Sequence, residues 1–270
     1  MEKKHLVKYG SKDHPKLNSL SEVYDKNSQD FIINNIDSKT IKKILDIGCG
    51  HGSMSHFFAH KFPKAKVFSI DISQDQLEIT KKRTHGKKNI QYFQLDIEHH
   101  NIDPEILNQL KSTDLIYVRY LLLHLKNWEI FFKNIYQLLK TGAKLIIEEP
   151  GFPWTTYPYS EVLQSSALAS QDFLHSLGYK FDCIPHLWDW LNNQNQFQID
   201  DVEFSHPTLK TYQQKKLMWM YFAQIKDPLI AAKVYHEEEF NQILDELKMI
   251  ASDDKYIAIP LRLIQISLIK

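Results

Sequence analysis

A glycine-rich turn beside a carboxylate is the part of this sequence most directly suited to chemistry. Residues 44–52 read Ile-Leu-Asp-Ile-Gly-Cys-Gly-His-Gly, so that Asp46 comes just before glycines at positions 48, 50 and 52. The residues before the glycines are apolar and β-prone, and a helix-like segment follows from Ser53 to Phe62. A strand, a tight turn and a helix N-terminus in this order are typical of a site for a nucleotide-like ligand, because the first backbone N–H groups of the helix are free to bind it.

Asp46 and the glycine spacing distinguish two classes of ligand. A carboxylate at the end of this strand would repel the pyrophosphate of a dinucleotide and attract a ligand that carries an ammonium and a sulfonium group. The dinucleotide fingerprint also requires a third glycine five residues after the first. Ser53 occupies that position here. The turn therefore favours S-adenosylmethionine (SAM) over NAD.

The elements around the turn alternate as a parallel sheet requires. Up to residue 150, strand-like runs alternate with helical ones, which predicts a doubly wound, mostly parallel α/β sheet covered on both faces. The predicted strands are residues 42–48, 66–71, 90–95, 114–118 and 143–147. Beyond residue 150 the predicted helices are 158–177, 185–195, 209–224 and 236–251, with strands near 197–206 and within 256–269. Pro260 cannot donate to a strand ladder, so we expect regular pairing of the last strand to start after it.

Further polar residues follow the ends of the other predicted strands. Asp71 ends the second strand, 19 residues beyond Gly52, where an acid can bind both hydroxyls of a ribose. Asp96 and Ile97 follow the third strand, where a carboxylate can accept a hydrogen bond from an adenine amino group and an apolar neighbour can cover the ring. Arg119 follows the fourth strand and begins the run Arg-Tyr-Leu-Leu-Leu-His.

With these residues in place, the chain resembles the class I, seven-stranded, Rossmann-like SAM-dependent methyltransferases, in particular the branch that acts on small molecules. The resemblance is good over residues 18–150 and looser over 181–208 and 255–270. It implies that the last strand is reversed within the sheet. It also implies that six residues bind the cofactor, with Cys49 contributing its backbone: Asp46, Gly48, Gly50, Asp71, Asp96 and Ile97. We further assign Ile72 and Arg119 to the cofactor site, although the Arg-Tyr pair at the end of the fourth strand departs from the family pattern.

The resemblance also predicts how the chain is divided. Residues 1–40 would form an N-terminal helical cap, and residues 41–270 the methyltransferase domain. Residues 151–180, which follow the fifth strand, would be a mobile lid over the bound substrate, or alternatively a fixed helix packed on the edge of the sheet. A second helical insertion, residues 209–254, would precede the last strand.

Several residues near the predicted crevice have two interpretations. His124 or Glu149 would act as a general base for a hydroxyl or carbon nucleophile, whereas a carboxylate or neutral nitrogen needs none. Otherwise His124 is a packed or capping residue. Alternation along the fifth strand aims one of Glu148 and Glu149 towards the site and the other away, unless both are surface charges. Arg119 would bind a substrate carboxylate or anchor local structure.

The composition of the chain argues against several classes of partner, compartment and site. The 33 basic residues balance 33 acidic ones, which argues against nucleic acid as a partner. Two cysteines cannot form a disulfide framework, and no apolar stretch is long enough to span a membrane, so we expect a cytoplasmic protein. No metal site is expected, because HExxH and CxxC patterns are missing and His51, His56 and His60 read as surface residues. The sequence predicts no particular oligomeric state.

The expected function is methyl transfer from SAM to a small molecule that is apolar, aromatic or carboxylate-bearing. The aromatic, proline-rich opening of the lid, Phe152-Pro153-Trp154, favours a substrate enclosed away from water. The alternative is a protein that binds SAM without transferring methyl, as a sensor or partner subunit. A nicotinamide oxidoreductase is disfavoured by Asp46 and by the glycine spacing.

Overall fold

The strands of the computed structural model, which describes residues 14–270, form one large sheet and one small one. The large sheet has seven strands in the order β3-β2-β1-β4-β5-β9-β7, and the small one pairs β6 with β8. In chain order the strands are β1 (Lys43–Ile47), β2 (Lys66–Asp71), β3 (Ile90–Gln94), β4 (Thr113–Arg119), β5 (Leu139–Gly151), β6 (Thr155–Tyr157), β7 (Gln198–Ser205), β8 (Ile257–Ile259) and β9 (Arg262–Ile269).

Helices cover both faces of the large sheet and form the insertions. In chain order they are α1 (His14–Asn35), α2 (Ser53–Lys61), α3 (Gln74–Arg83), α4 (Pro104–Leu110), α5 (Trp128–Leu138), α6 (Glu161–Ser176), α7 (Cys183–Asn193), α8 (Tyr212–Lys215), α9 (Leu217–Ala231) and α10 (Glu237–Ser252). A short 3-10 helix, Leu122–His124, follows β4. None of the helices in the described part of the chain is long and apolar enough to cross a membrane.

The predicted fold class is confirmed. β1 to β5 pair in parallel, and β9 lies antiparallel between β5 and β7, which is the reversed final strand expected from the sequence. The strands are apolar on both sides because both faces of a parallel sheet are buried. Along β1, for example, Leu45 and Ile47 belong to the larger core with α4 and α5, while Ile44 packs with Phe58 of α2.

The differences from the predicted elements have tertiary causes. β5 continues to Gly151 because β9 pairs with it along that length. The final apolar run is divided at Pro260, as expected, but its first part does not simply end: Ile257–Ile259 pairs with β6 in the small sheet. The predicted helix at 209–224 is split into α8 and α9, and α9 runs on to Ala231.

The predicted domains and insertions correspond to the following elements. The cap contributes α1, whereas residues 1–13 of that prediction lie outside the described residues. The predicted lid contains β6 and α6, and α6 packs against α9 and α10 of the second insertion. The boundaries at residues 40, 151, 180, 209 and 254, and the mobility of the lid, remain predictions.

Candidate active site

The glycine turn after β1 has the backbone that its sequence predicts. Gly48, Gly50 and Gly52 all have positive φ angles, of 73°, 53° and 80°, which favours glycine over residues with a side chain. Space is also limiting, since a Cβ on Gly52 would lie 2.6 Å from Cγ2 of Thr80. The turn is fastened to the next strand, because the backbone N–H groups of Gly48 and Cys49 both donate to the carbonyl of Ile70.

Asp71 lies against this turn at the carboxyl ends of β1 and β2. Its Oδ2 accepts a hydrogen bond from the backbone N–H of Gly50 at 2.9 Å, and its Oδ1 accepts one from Ser73 N at 2.8 Å. Ser73 in turn caps α3 by accepting from Gln76 N. Beside Asp71, the side chain of Ile72 is 41% exposed and offers an apolar surface at the edge of the sheet. The acid and the turn therefore occupy one location, as the sequence spacing predicts.

Asp46 is placed differently from Asp71. Its carboxylate is only 3% exposed and accepts a hydrogen bond from Ser55 Oγ of α2 at 2.5 Å. Burial raises its pKa from 3.8 to about 6, against the lowering effects of the Ser55 hydroxyl and of Arg119. This geometry ties α2 to β1 beneath the turn. Direct contact between Asp46 and a ligand remains a prediction.

Asp96 and Ile97 follow β3 in a tight Asx-type turn. Asp96 Oδ1 accepts from the backbone N–H of Glu98 at 2.9 Å. The Ile97 side chain is only 5% exposed and belongs to the larger core, and its carbonyl accepts from the amide of Asn134 at 2.8 Å. The role of Ile97 in covering an adenine ring remains a prediction.

Arg119, at the end of β4, holds the N-terminal helix. Its guanidinium forms an ion pair with Asp25 at 2.8 Å and donates to Ser28 Oγ at 3.0 Å, both in α1. Asp25 also accepts from the hydroxyl of Ser53, the first residue of α2. Of the two interpretations of Arg119, these contacts support the anchoring one. Its assignment as a cofactor-binding residue remains a prediction.

The two glutamates at the end of β5 lie on opposite faces, and both are fully buried. The carboxylate of Glu148 accepts three hydrogen bonds, from Ser28 Oγ at 2.5 Å, Tyr117 Oη at 2.6 Å and Gln265 Nε2 at 2.6 Å. The alternative that both glutamates are surface charges is therefore wrong: side chains from α1, β4 and β9 cover Glu148, an arrangement that no local pattern encodes.

Glu149 is held by the backbone of the 3-10 helix. Its Oε1 accepts from the N–H groups of Leu121 at 2.7 Å and Leu122 at 2.8 Å, and its Oε2 lies 3.7 Å from the thiol of Cys183. Burial raises its pKa from 4.5 to about 7, against the lowering effect of the backbone bonds. A pKa in this range suits a general base, but the catalytic role of Glu149 remains a prediction.

The histidines divide between buried and accessible positions. His124 is the last residue of the 3-10 helix and is partly exposed, and its catalytic role remains a prediction. His51 is buried with its Nε2 3.2 Å from Ser21 Oγ, so the expectation of a surface position is wrong for this residue, because α1 covers it. His56 is partly exposed and His60 exposed, as expected. Within residues 14–270 no group of three or more His, Cys, Asp and Glu side chains is placed to hold a metal ion.

Sequence reasoning missed the contribution of α1 to this region. Ser21, Asp25 and Ser28 contact the glycine turn, α2, β4 and β5 through polar groups. Their spacing of four and three residues puts them on one helical face. The sequence signal that could have predicted this contribution is the row of polar residues on one face of α1. Such a row indicates a helix face that packs on buried polar groups.

Comparison with known proteins agrees with this arrangement. Residues 45–145 match the family model described as a methyltransferase domain. This part of the chain is similar to a methyltransferase domain, and the seven-stranded sheet with its one reversed strand has the fold of class I methyltransferases. The matched residues run from the strand before the glycine turn to β5, and they include Asp71 and Asp96. Methyltransferases of this family use SAM.

Curated relatives match the same part of the chain. A malonyl-[acyl-carrier protein] O-methyltransferase of Ilyobacter polytropus is 30% identical over 115 residues, which are 43% of this chain and 42% of the relative. A ubiquinone biosynthesis O-methyltransferase of Pelagibacter ubique is 34% identical over 121 residues, 44% of this chain and 47% of the relative. The chain thus spans less than half the length of these two relatives.

Solved structures share the fold over most of the chain. The YcgJ protein of Bacillus subtilis has a TM-score of 0.56 at 16% identity and covers 91% of this chain and 98% of its own. A phosphoethanolamine N-methyltransferase 2 of Haemonchus contortus, in complex with phosphomonomethylethanolamine and S-adenosylhomocysteine, has a TM-score of 0.52 at 20% identity. The match covers 90% of this chain and 52% of that protein. The [4+2]-cyclase SpnF has a TM-score of 0.53 at 15% identity, and the match covers 90% of this chain and 80% of the cyclase.

Proposed function

We propose that this chain transfers a methyl group from SAM to a small-molecule acceptor. The observation that carries the proposal is the hydrogen bond between Asp71 Oδ2 and Gly50 N, because it joins the acid after β2 to the glycine turn after β1. A carboxylate in this position can accept from the two hydroxyls of a ribose while the turn faces the rest of the nucleoside. The matched family model and the relatives that methylate oxygen support the same activity.

In this proposal, the residues of the site bind and orient more than they react. Asp71 holds the ribose, Asp96 accepts from the adenine amino group, and Ile72 covers the ring. Methyl transfer is an in-line displacement at a carbon that the sulfonium already activates. The protein must hold the acceptor atom about 3–3.5 Å from that carbon and exclude water. This positioning lowers the activation barrier by several kcal/mol.

The acceptor follows from the proposal only as a chemical class. The relatives named above are methyltransferases for a malonyl-acyl carrier protein and for ubiquinone biosynthesis, and a structural neighbour is a phosphoethanolamine N-methyltransferase. An oxygen or nitrogen atom of a small molecule, or of a group carried on an acyl carrier protein, is therefore the proposed acceptor. A hydroxyl acceptor would need a base, for which His124 and Glu149 are the candidates.

A second candidate is a protein of the same fold that does not transfer methyl. The specific observation in its favour is that one structural neighbour is a [4+2]-cyclase, so that other chemistry also occurs on this fold. The two candidates share SAM binding and differ in whether S-adenosylhomocysteine is released.

Calorimetry and thermal shift test the cofactor. SAM and S-adenosylhomocysteine should stabilise the protein, by about 2.7 kcal/mol at 100 times the dissociation constant, whereas NAD and ATP should not. Asp71→Ala removes two charge-assisted hydrogen bonds and should cost about 3 kcal/mol of SAM binding, more than a hundredfold in Kd. Asp75→Ala, an exposed acid four residues away, is the matched control. Stabilisation by NAD but not by SAM would contradict the proposal.

Turnover separates the two candidates. The protein is incubated with SAM and, in separate reactions, with a malonyl thioester, a phenol and phosphoethanolamine, and released S-adenosylhomocysteine is measured. Release that depends on one acceptor supports methyl transfer. Tight SAM binding without release in any reaction, or with a broad metabolite extract, favours the non-catalytic candidate.

A further inference from the structure

A buried aromatic cluster lies among the segments that follow β5. The ring centroids of Trp154 and Tyr221 are 6.2 Å apart, those of Tyr221 and Phe181 5.4 Å, and those of Phe181 and Phe152 5.8 Å. Phe152 and Trp154 come from the opening of the predicted lid, Phe181 from the connection between α6 and α7, and Tyr221 from α9. We call these four residues the aromatic cluster.

Two polar atoms in the aromatic cluster are buried without a partner. Trp154 is 3% exposed and Tyr221 7%, and among the described residues neither Trp154 Nε1 nor Tyr221 Oη has a hydrogen-bond partner. Other buried tyrosines are satisfied: Tyr24 Oη donates to Leu261 O at 2.5 Å, and Tyr117 Oη donates to Glu148. An unsatisfied buried donor costs free energy, and these two donors on neighbouring rings are available to bind a ligand.

Helix α1 places the aromatic cluster beside the glycine turn. Lys16 Nζ lies 5.5 Å from the centroid of the Tyr221 ring. The next residue, Leu17, has its Cδ1 3.8 Å from the position that a Cβ on Gly50 would take. Consecutive residues of one helix therefore contact Tyr221 and the turn that we propose holds SAM. A molecule bound against Trp154 and Tyr221 would lie next to the cofactor.

The charges around the aromatic cluster are unequal at its two ends. The Lys16 ammonium lies over the Tyr221 end and also donates to the side-chain oxygen of Gln224. At the Phe152 end, Asp182 Oδ1 accepts from the backbone N–H of Phe152 at 3.3 Å. An indole N–H can only donate and a phenol can donate, so the two unsatisfied atoms fit an acceptor oxygen. The nearby ammonium favours that oxygen being anionic.

We propose that Trp154 Nε1–H and Tyr221 Oη–H bind the carboxylate of the methyl acceptor, and that the Lys16 ammonium balances its charge. The rest of the aromatic cluster would pack on an apolar or aromatic body of the same molecule. The substrate class is therefore an apolar carboxylate. This inference rests on the proposed function, because it takes the glycine turn as the site of SAM.

A matched pair of probes tests the substrate class. Binding of 3-phenylpropionate and of 3-phenylpropylamine is measured by calorimetry on the protein saturated with S-adenosylhomocysteine. The two probes share the aromatic body and differ in the sign of the charge. We expect the carboxylate to bind at least tenfold more tightly than the amine, and Lys16→Gln to reduce that preference.

Variants that delete one hydroxyl or one N–H test the residues. Tyr221→Phe should weaken binding of 3-phenylpropionate about ten- to hundredfold, the effect of one hydrogen bond to a charged group, without lowering the melting temperature. Trp154→Phe, which removes the N–H together with part of the indole ring system, should weaken it by at least as much. In both variants the Kd of S-adenosylhomocysteine should stay unchanged.

Tyr117→Phe is the matched control, because it deletes a buried hydroxyl that has a partner, Glu148, at 2.6 Å. It should lower the melting temperature and leave the Kd of the probe unchanged. Equal affinity of the two probes, binding of neither, or wild-type probe affinity in both Tyr221→Phe and Trp154→Phe would overturn the inference. Failure of S-adenosylhomocysteine itself to bind would instead overturn the proposed function.

Discussion

Replacing Glu149 by glutamine removes a buried charge while keeping the shape of the side chain. The amide oxygen of glutamine can accept the same two backbone hydrogen bonds that Oε1 accepts from Leu121 and Leu122. Its NH2 group can face the Cys183 sulfur, which now lies 3.7 Å from Oε2. We therefore expect Glu149→Gln to fold and to be more stable than the wild-type protein at pH 8.

The magnitude of this gain follows from the pKa of Glu149, which burial raises from 4.5 to about 7. Between these two pH values the native chain keeps a proton that the unfolded chain has lost. The free energy of unfolding therefore falls as the pH rises through this window. At 1.36 kcal/mol per pH unit the loss reaches about 3 kcal/mol above pH 7. Glutamine has no proton to lose, so the advantage of the variant should be small at pH 5 and about 3 kcal/mol at pH 8.

Urea unfolding followed by tryptophan fluorescence between pH 5 and 8.5 measures the difference. Subtracting the wild-type free energy from that of the variant removes the titration of all other groups. Glu129→Gln, at an exposed position of α5, is the control and should show no such pH dependence. The reasoning is refuted if Glu149→Gln and the wild type lose stability in parallel, or if the variant is less stable at pH 8. Loss of methyl transfer in a folded Glu149→Gln protein would support the general-base hypothesis.

Three further predictions concern the turn, α1 and the lid. Gly52→Ala should destabilise the protein more than Gly86→Ala, measured as free energies of urea unfolding. Both glycines have a positive φ angle, which costs a residue with a side chain about 1–2 kcal/mol. Only at Gly52 would the new Cβ also clash with a neighbour, Thr80. Asp25→Ala leaves the largely buried Arg119 unpaired and should cost about 3 kcal/mol, whereas Asp30→Ala breaks only an exposed pair with Lys26 and should cost less than about 1 kcal/mol; equal costs would show that Arg119 does not depend on Asp25. Hydrogen exchange of residues 150–180 should slow when S-adenosylhomocysteine and 3-phenylpropionate are added, and strong protection in both states would mean that α6 is fixed and the segment is not a lid.

The sequence by itself determined the parts of this protein that depend on neighbours along the chain. The strand, glycine turn and helix at residues 44–62 were predictable because positive φ angles require glycine and because the helix begins directly after the turn. Asp71 was predictable as well, since the strand that ends with it lies next to β1 in the usual order of a doubly wound sheet. The split of the last apolar run at Pro260 followed from the missing N–H of proline.

Only the tertiary structure decided what the polar groups near the site do. Nothing in the spacing of Glu148 and Glu149 indicates that both are buried, because their partners lie on α1, β4, β9 and the 3-10 helix, far away in sequence. The anchoring of Arg119 by Asp25 depends likewise on how α1 crosses the sheet. Burying a charge is costly unless partners converge on it, and convergence of distant segments is a property of the packed fold, which a single sequence does not display.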